Sequence, residues 1–224
     1  MTANIVTEQL TPAGRAIEHD SFAIIDAEAG PHGYTPEQWP LVRRMIHANA
    51  DFEFNGLAAF HPRAMSAGLA VVLKGGTPVV ADVEMICVGL SAPRLKHFGM
   101  TTHHYISDAD VIERAKAENT TRAVQAMRKA HSLGKLDGAI VGIGNAPTAL
   151  IEVVRLIREE GARPALVVGM PVGFVSAAES KDLLMTLHDV PWIAIRGRKG
   201  GSTLVVAAVH ALLSLAESEQ QRAA

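Results

Sequence analysis

The chain has 224 residues, a formal net charge of -2, 48% hydrophobic residues and 20% charged residues. That length supports one large core, and the composition excludes a disordered or collagen-like chain. So small a net charge supplies no overall field to recruit nucleic acid or an anionic membrane, which leaves any anionic ligand to a local cluster of cations.

The single cysteine, Cys87, excludes an intrachain disulfide and reads as a core thiol in the apolar EMICVGL. MTANIVTEQL lacks the basic start and apolar run of a signal peptide, and no run of about 18 apolar residues occurs. The expectation is one domain over residues 1–224, soluble and cytoplasmic, with no nucleic-acid or membrane partner.

Residues 11–30 and 35–50 read as successive helices, broken at Pro31, Gly33 and Pro36, with Thr35 placed to cap the second. From about residue 55 onward, short β-branched runs alternate with segments of helical period. The strand candidates are 78–82, 103–107, 138–144, 164–170 and 191–197. Helices are expected near 62–74, 108–133 with a break around Asn119, 147–160, 176–188 and 202–217. Ser176 to Glu179 has the spacing of a capping box, Pro147 suits a first helical position, and Ser202 can cap the last helix. The predicted fold is three-layer α/β/α, with a parallel sheet of about five strands and extra N-terminal helices.

In such sheets ligands bind beyond the carboxyl ends of the strands, where helix N-termini and free N–H groups gather. The distinctive segments all follow a strand. RGRKGGS carries Arg196, Arg198 and Lys199 among glycines that let backbone approach a ligand, or it is a solvated basic turn. GIGNAPT begins like a dinucleotide fingerprint, but Pro147 replaces the third glycine and removes an N–H; Asn145 is either a ligand contact or part of a tight turn. In GMPVGFVSAAESK, Glu179 reads as a capping partner and Lys181 as a solvated helix residue.

LVRRMIHANADF, residues 41–52, adds a histidine. At helical spacing Leu41, Val42, Met45 and Ile46 share a buried stripe, while Arg43, Arg44, His47 and Asp51 gather on another side. That face is cationic with one movable proton, which suits either an acid/base role or an ordinary surface histidine. His103 and His104, adjacent on a strand, would point to opposite faces, and no Cys/His spacing argues for a metal site.

Taken together, SFAIIDAEAG, RRMIHANADF, DVEM, TTRAVQAM, VGIGNAPTAL, GMPVGFVSAAESK and RGRKGGST resemble the precorrin-8X methylmutase (precorrin isomerase) family of corrin-ring biosynthesis. The resemblance runs collinearly from Gly14 to Leu213 and is weakest over 93–107. It implies a flavodoxin-like sheet and a homodimer whose corrinoid substrate lies in a cleft at the subunit interface. The implied reaction moves a methyl group from C-11 to C-12, converting precorrin-8X or its cobalt form into hydrogenobyrinate or cobyrinate, with no cofactor. Arg44-Met45-Ile46-His47 matches the family's acid/base motif, which makes His47 the expected catalytic residue. By the same resemblance Ser21 and Arg44 contact substrate, with Arg122 and Lys181 as further contacts. The family usually carries a serine after that arginine, where this chain has Ala123. A substrate rich in carboxylates needs cations, and Arg44, Arg122, Arg196, Arg198 and Lys199 are the candidates. The rival readings are a non-catalytic corrinoid carrier and a flavodoxin-like nucleotide-binding enzyme.

Overall fold

The computed structural model describes residues 5–7, 9 and 11–223, so most of the MTANIVTEQL segment lies outside the described residues. Helices α1 (Pro12–Glu28) and α2 (Trp39–Asn49), a single turn α3 (Phe54–Leu57) and strand β1 (Ala58–Phe60) lead into the alternating part. There follow α4 (Ala64–Lys74), β2 (Pro78–Ala81), α5 (Glu84–Gly89), α6 (Ala92–His97), β3 (Thr101–His103), α7 (Ala109–Ala117) and α8 (Arg122–Ser132). The chain continues through β4 (Ile140–Ile143), α9 (Pro147–Glu159), β5 (Leu166–Gly169), α10 (Ala177–Met185), β6 (Trp192–Ile195) and α11 (Ser202–Ala223).

The six strands are ordered β1-β6-β5-β4-β2-β3, with every pairing parallel except that of β1 with β6. The parallel strands run β3-β2-β4-β5-β6, a doubly wound order that reverses between β2 and β4. Strands β4, β5 and β6 are buried at every residue because helices cover both faces. Side chains alternate between two cores. Val79, Ala81, Ile140, Leu166, Val168 and Ile193 face the layer that includes α2, α4, α5 and α11, whereas Val80, Val141, Ile143 and Val167 face α7 to α10.

Several elements differ from the sequence reading for definable reasons. The expected strand at 103–107 lies at Thr101–His103, fixed by its register with Pro78–Val80. Beyond it Tyr105 and Ile106 pack against the α8–α9 core from a loop, so their strand-like character serves packing. The additional strand β1 and helices α5 and α6 were not anticipated. Thr35 caps a turn before α2: its Oγ1 accepts from the Gln38 N–H, while Gln38 Oε1 accepts from the Thr35 N–H. Ser176 is left-handed (φ 60°) and makes no side-chain cap, so no capping box forms with Glu179. Ser202 is the first residue of α11, inside the helix it was expected to cap. The break at Asn119 is real, with φ at 48°.

Helix α11 is the one described helix long and apolar enough to cross a membrane, but it is largely buried against α2, α4 and α5 as the core helix of its layer. On α5, Cys87 is half-buried, and burial pushes its thiol pKa up, away from nucleophilic use.

Candidate active site

Helix α2 buries Leu41, Val42, Met45 and Ile46, as its apolar stripe requires, and packs along α11. Its other side carries His47, which is exposed on the wall of a cleft of about 410 Å³ between α2, α5 and the first turns of α11. Arg44, Met85, Val88, Thr203 and His210 line the same cleft. The His47 ring stands edge-on to Phe22 of α1, with centroids 5.3 Å apart. Arg44 pairs with Glu18 at 2.9 Å, and its guanidinium lies 5.3 Å from the centre of the same Phe22 ring.

Two contacts tie the end of α2 to the carboxyl rim of the sheet. Thr203 Oγ1, at the start of α11, donates to Asn49 Oδ1 at 3.3 Å. Lys199, in the loop after β6, binds Asp51 and reaches Glu53 at 2.9 Å. A helix that precedes the sheet in sequence is thereby held over the strand ends of its own chain.

At the switch between β2 and β4 the rim is already occupied by the protein itself. The buried Asp82 carboxylate accepts from the N–H groups of Gly144, Asn145 and Ala146 at 3.1, 2.9 and 2.7 Å. Burial raises the Asp82 pKa, against the pull of those donors. The N–H groups a phosphate would need are thus consumed and Pro147 has none, which counts against nucleotide binding at GIGNAPT. Gly144 also lies against α11 so closely that a Cβ would stand 2.7 Å from the Ser202 Cα.

The loops after β5 and β6 form one unit. Gly201 N–H donates to Met170 O, Gly173 N–H donates to Arg198 O, and a Cβ on Gly200 would fall 2.3 Å from Met170 O. Lys181 is completely buried beneath this unit, not solvated, and its ammonium donates to Lys199 O at 2.7 Å. Burial lowers its pKa to about 8. The unfolded chain therefore binds more protons between about pH 8 and 10.4, the unperturbed lysine pKa, so the Lys181 contribution to stability rises with pH there. Chemical denaturation at pH 7.5 and 10 should show a smaller pH-dependent gain for Lys181→Met than for wild type. An identical gain would place the lysine in water.

The sequence-derived residues divide by position. His47 and Arg44 share the cleft, and Lys199 anchors its edge through Asp51. Arg196 and Arg198 are exposed on the same loop, with Arg198 5.8 Å from the Phe174 ring. Ser21 bonds back to Ile17 O at 2.7 Å and does not line the His47 cleft. Arg122 and Asn145 are exposed farther along the rim, where α8 and α9 meet through Thr121 and Thr148 at 3.0 Å. Ala123 is buried in the core beneath Arg122. Sequence reasoning missed His210, Met85 and Val88 in the cleft; the lone histidine in the apolar VVAAVHALL was the available signal for the first.

The sequence profile of the precorrin-8X methylmutase family matches residues 16–215. The chain belongs to this family. It is 51% identical to the cobalt-precorrin-8 methylmutase of Leptospira interrogans over 219 residues, covering 96% of this chain and 99% of that one. Identity to the cobalt-precorrin-8 methylmutase of Priestia megaterium is 52%, covering 93% and 91% of the two chains. The crystal structure of precorrin-8x methyl mutase from Thermus thermophilus superposes with a TM-score of 0.86 at 54% identity, covering 92% of this chain and 98% of that one. Methylmutases of this family are isomerases of cobalamin biosynthesis, and the α/β fold described above matches that structure closely.

Proposed function

We propose that the His47 cleft is the active site for migration of a methyl group from C-11 to C-12 of precorrin-8X or its cobalt form, giving hydrogenobyrinate or cobyrinate. The observation that carries this reading is an exposed histidine on the cleft wall beside Arg44, held edge-on by Phe22. An isomerisation conserves every atom, so a proton lent to the conjugated ring must be recovered in the same turnover. One positioned histidine can do both. The remaining barrier is lowered by holding the macrocycle in its reactive shape. Arg44, Arg196 and Arg198 supply charge for its carboxylates, Lys199 holds the rim through Asp51 and Glu53, and the start of α11 adds the positive end of a helix dipole. The step is redox-neutral and uses no cofactor.

The relatives at 51% and 52% identity are named for cobalt-precorrin-8, whereas the Thermus thermophilus structure at 54% and a Sinorhizobium relative at 38% are named for precorrin-8X, so both forms of the substrate are candidates. The active form is a cytoplasmic homodimer with the cleft at the subunit interface. Val88, Phe174 and Val175 support this, being 73%, 86% and 82% exposed on segments that follow strand ends. Arg122 and Asn145 stand apart from His47 within one chain, and as substrate ligands they serve the partner's cleft. Co-expression of His47→Ala with Arg122→Ala tests this arrangement. Mixed dimers should recover about one quarter of wild-type activity, since half the dimers are mixed and each holds one intact site. No recovery above either variant alone would put both residues in one chain's site.

A further inference from the structure

Arg94, in α6, is only 7% exposed, yet among the described residues its guanidinium makes no hydrogen bond or ion pair. Two carboxylates influence it, those of Glu18 and Glu217, and both are engaged elsewhere. Glu18 pairs with Arg44 at 2.9 Å, and Glu217 accepts from the N–H groups of Val6 and Thr7 at 2.8 and 2.7 Å. Arg44 adds repulsion, so burial and a like charge together lower the Arg94 pKa. A buried cation without a matching anion is costly, and a bound anion would relieve it.

The space beside Arg94 is suited to one. Arg94 lines a cavity of about 310 Å³ together with Arg44, Ser91 and His210. Arg44 and His210 also line the His47 cleft, so the two spaces share a wall. The Ser91 N–H donates to His210 Nε2 at 3.0 Å, which leaves the imidazole proton on Nδ1. Burial, Arg94 and Arg44 lower the His210 pKa to about 4, so at neutral pH this ring is an uncharged N–H donor.

We propose that Arg94, with Arg44 and the Nδ1–H of His210, forms a subsite that binds one carboxylate of the substrate and so sets the position of the macrocycle against His47. This assignment of Arg94 and His210 rests on the corrinoid reading of the cleft. Bidentate pairing by a planar guanidinium would fix orientation as well as affinity.

The test measures two probes on wild type, Arg94→Gln and Arg94→Lys. Cobyrinate titrations followed by absorption should show affinity about 10- to 100-fold weaker in Arg94→Gln, with a partial return in Arg94→Lys. Tricarballylate, a simple tricarboxylate, should raise the melting temperature of wild type and not of Arg94→Gln. With no probe present, Arg94→Gln should melt no lower than wild type, because a like-charge contact has been removed. Equal cobyrinate affinity in wild type and Arg94→Gln overturns the subsite and leaves the corrinoid reading standing. Wild type that ignores cobyrinate but is stabilised by tricarballylate through Arg94 keeps the anion subsite and removes the corrinoid reading. Failure with both probes removes both.

Discussion

His47→Ala should lose turnover of cobalt-precorrin-8 almost entirely while melting within about 2 °C of wild type. General acid/base assistance is worth about 10²–10⁴-fold, and among the described residues the other histidine lining the cleft, His210, is held neutral by burial, Arg94 and Arg44. Stability is spared because the ring is exposed and its one aromatic neighbour is Phe22, so truncation opens no core cavity. The measurement is the absorption change on conversion of cobalt-precorrin-8 to cobyrinate, run beside the conversion of metal-free precorrin-8X to hydrogenobyrinate. Retained turnover in the variant, or a collapsed melting temperature, would remove His47 from the chemistry. Wild type that binds cobyrinate but converts neither substrate would make the protein a carrier.

Asp82→Ala should be the more damaging change to the fold. It strands the N–H groups of Gly144, Asn145 and Ala146 in a closely packed turn where Gly144 already touches α11. The cost should be about 3–5 kcal/mol, or roughly 10 °C in melting temperature for a domain of this size. Asp82→Asn keeps one accepting oxygen but turns an amide donor toward another donor, and should fall between. A shift under about 2 °C for the alanine variant would mean that water replaces the carboxylate readily.

Local patterns were legible in the sequence wherever they settled the structure by themselves. The α2 stripe predicted its buried face residue by residue, and Asn119 takes the left-handed conformation that breaks α7 from α8. What escaped depended on partners distant in sequence. Strand β1 is a three-residue AAF whose identity comes from pairing with β6. Lys181 looked like any helix lysine because its burial is created by the loop carrying Lys199. Ser176 has the residue type of a cap, but the preceding Gly173-Phe174-Val175 loop delivers it in a left-handed conformation. At the site, His47 and Arg44 could be paired from helical spacing, whereas His210 and Arg94 meet them only through the packing of α11 and α6.

The packing of α2 along α11 carries a consequence for the order of assembly. His47 is made early in synthesis, but Thr203 and His210 face it only once α11 is in place, some 150 residues later. Closing so long a loop is a late and slow event in folding. A nascent chain that has folded as far as β6 therefore has the histidine and lacks the opposite wall, and on the proposed assignment it should show no turnover until its last helix docks.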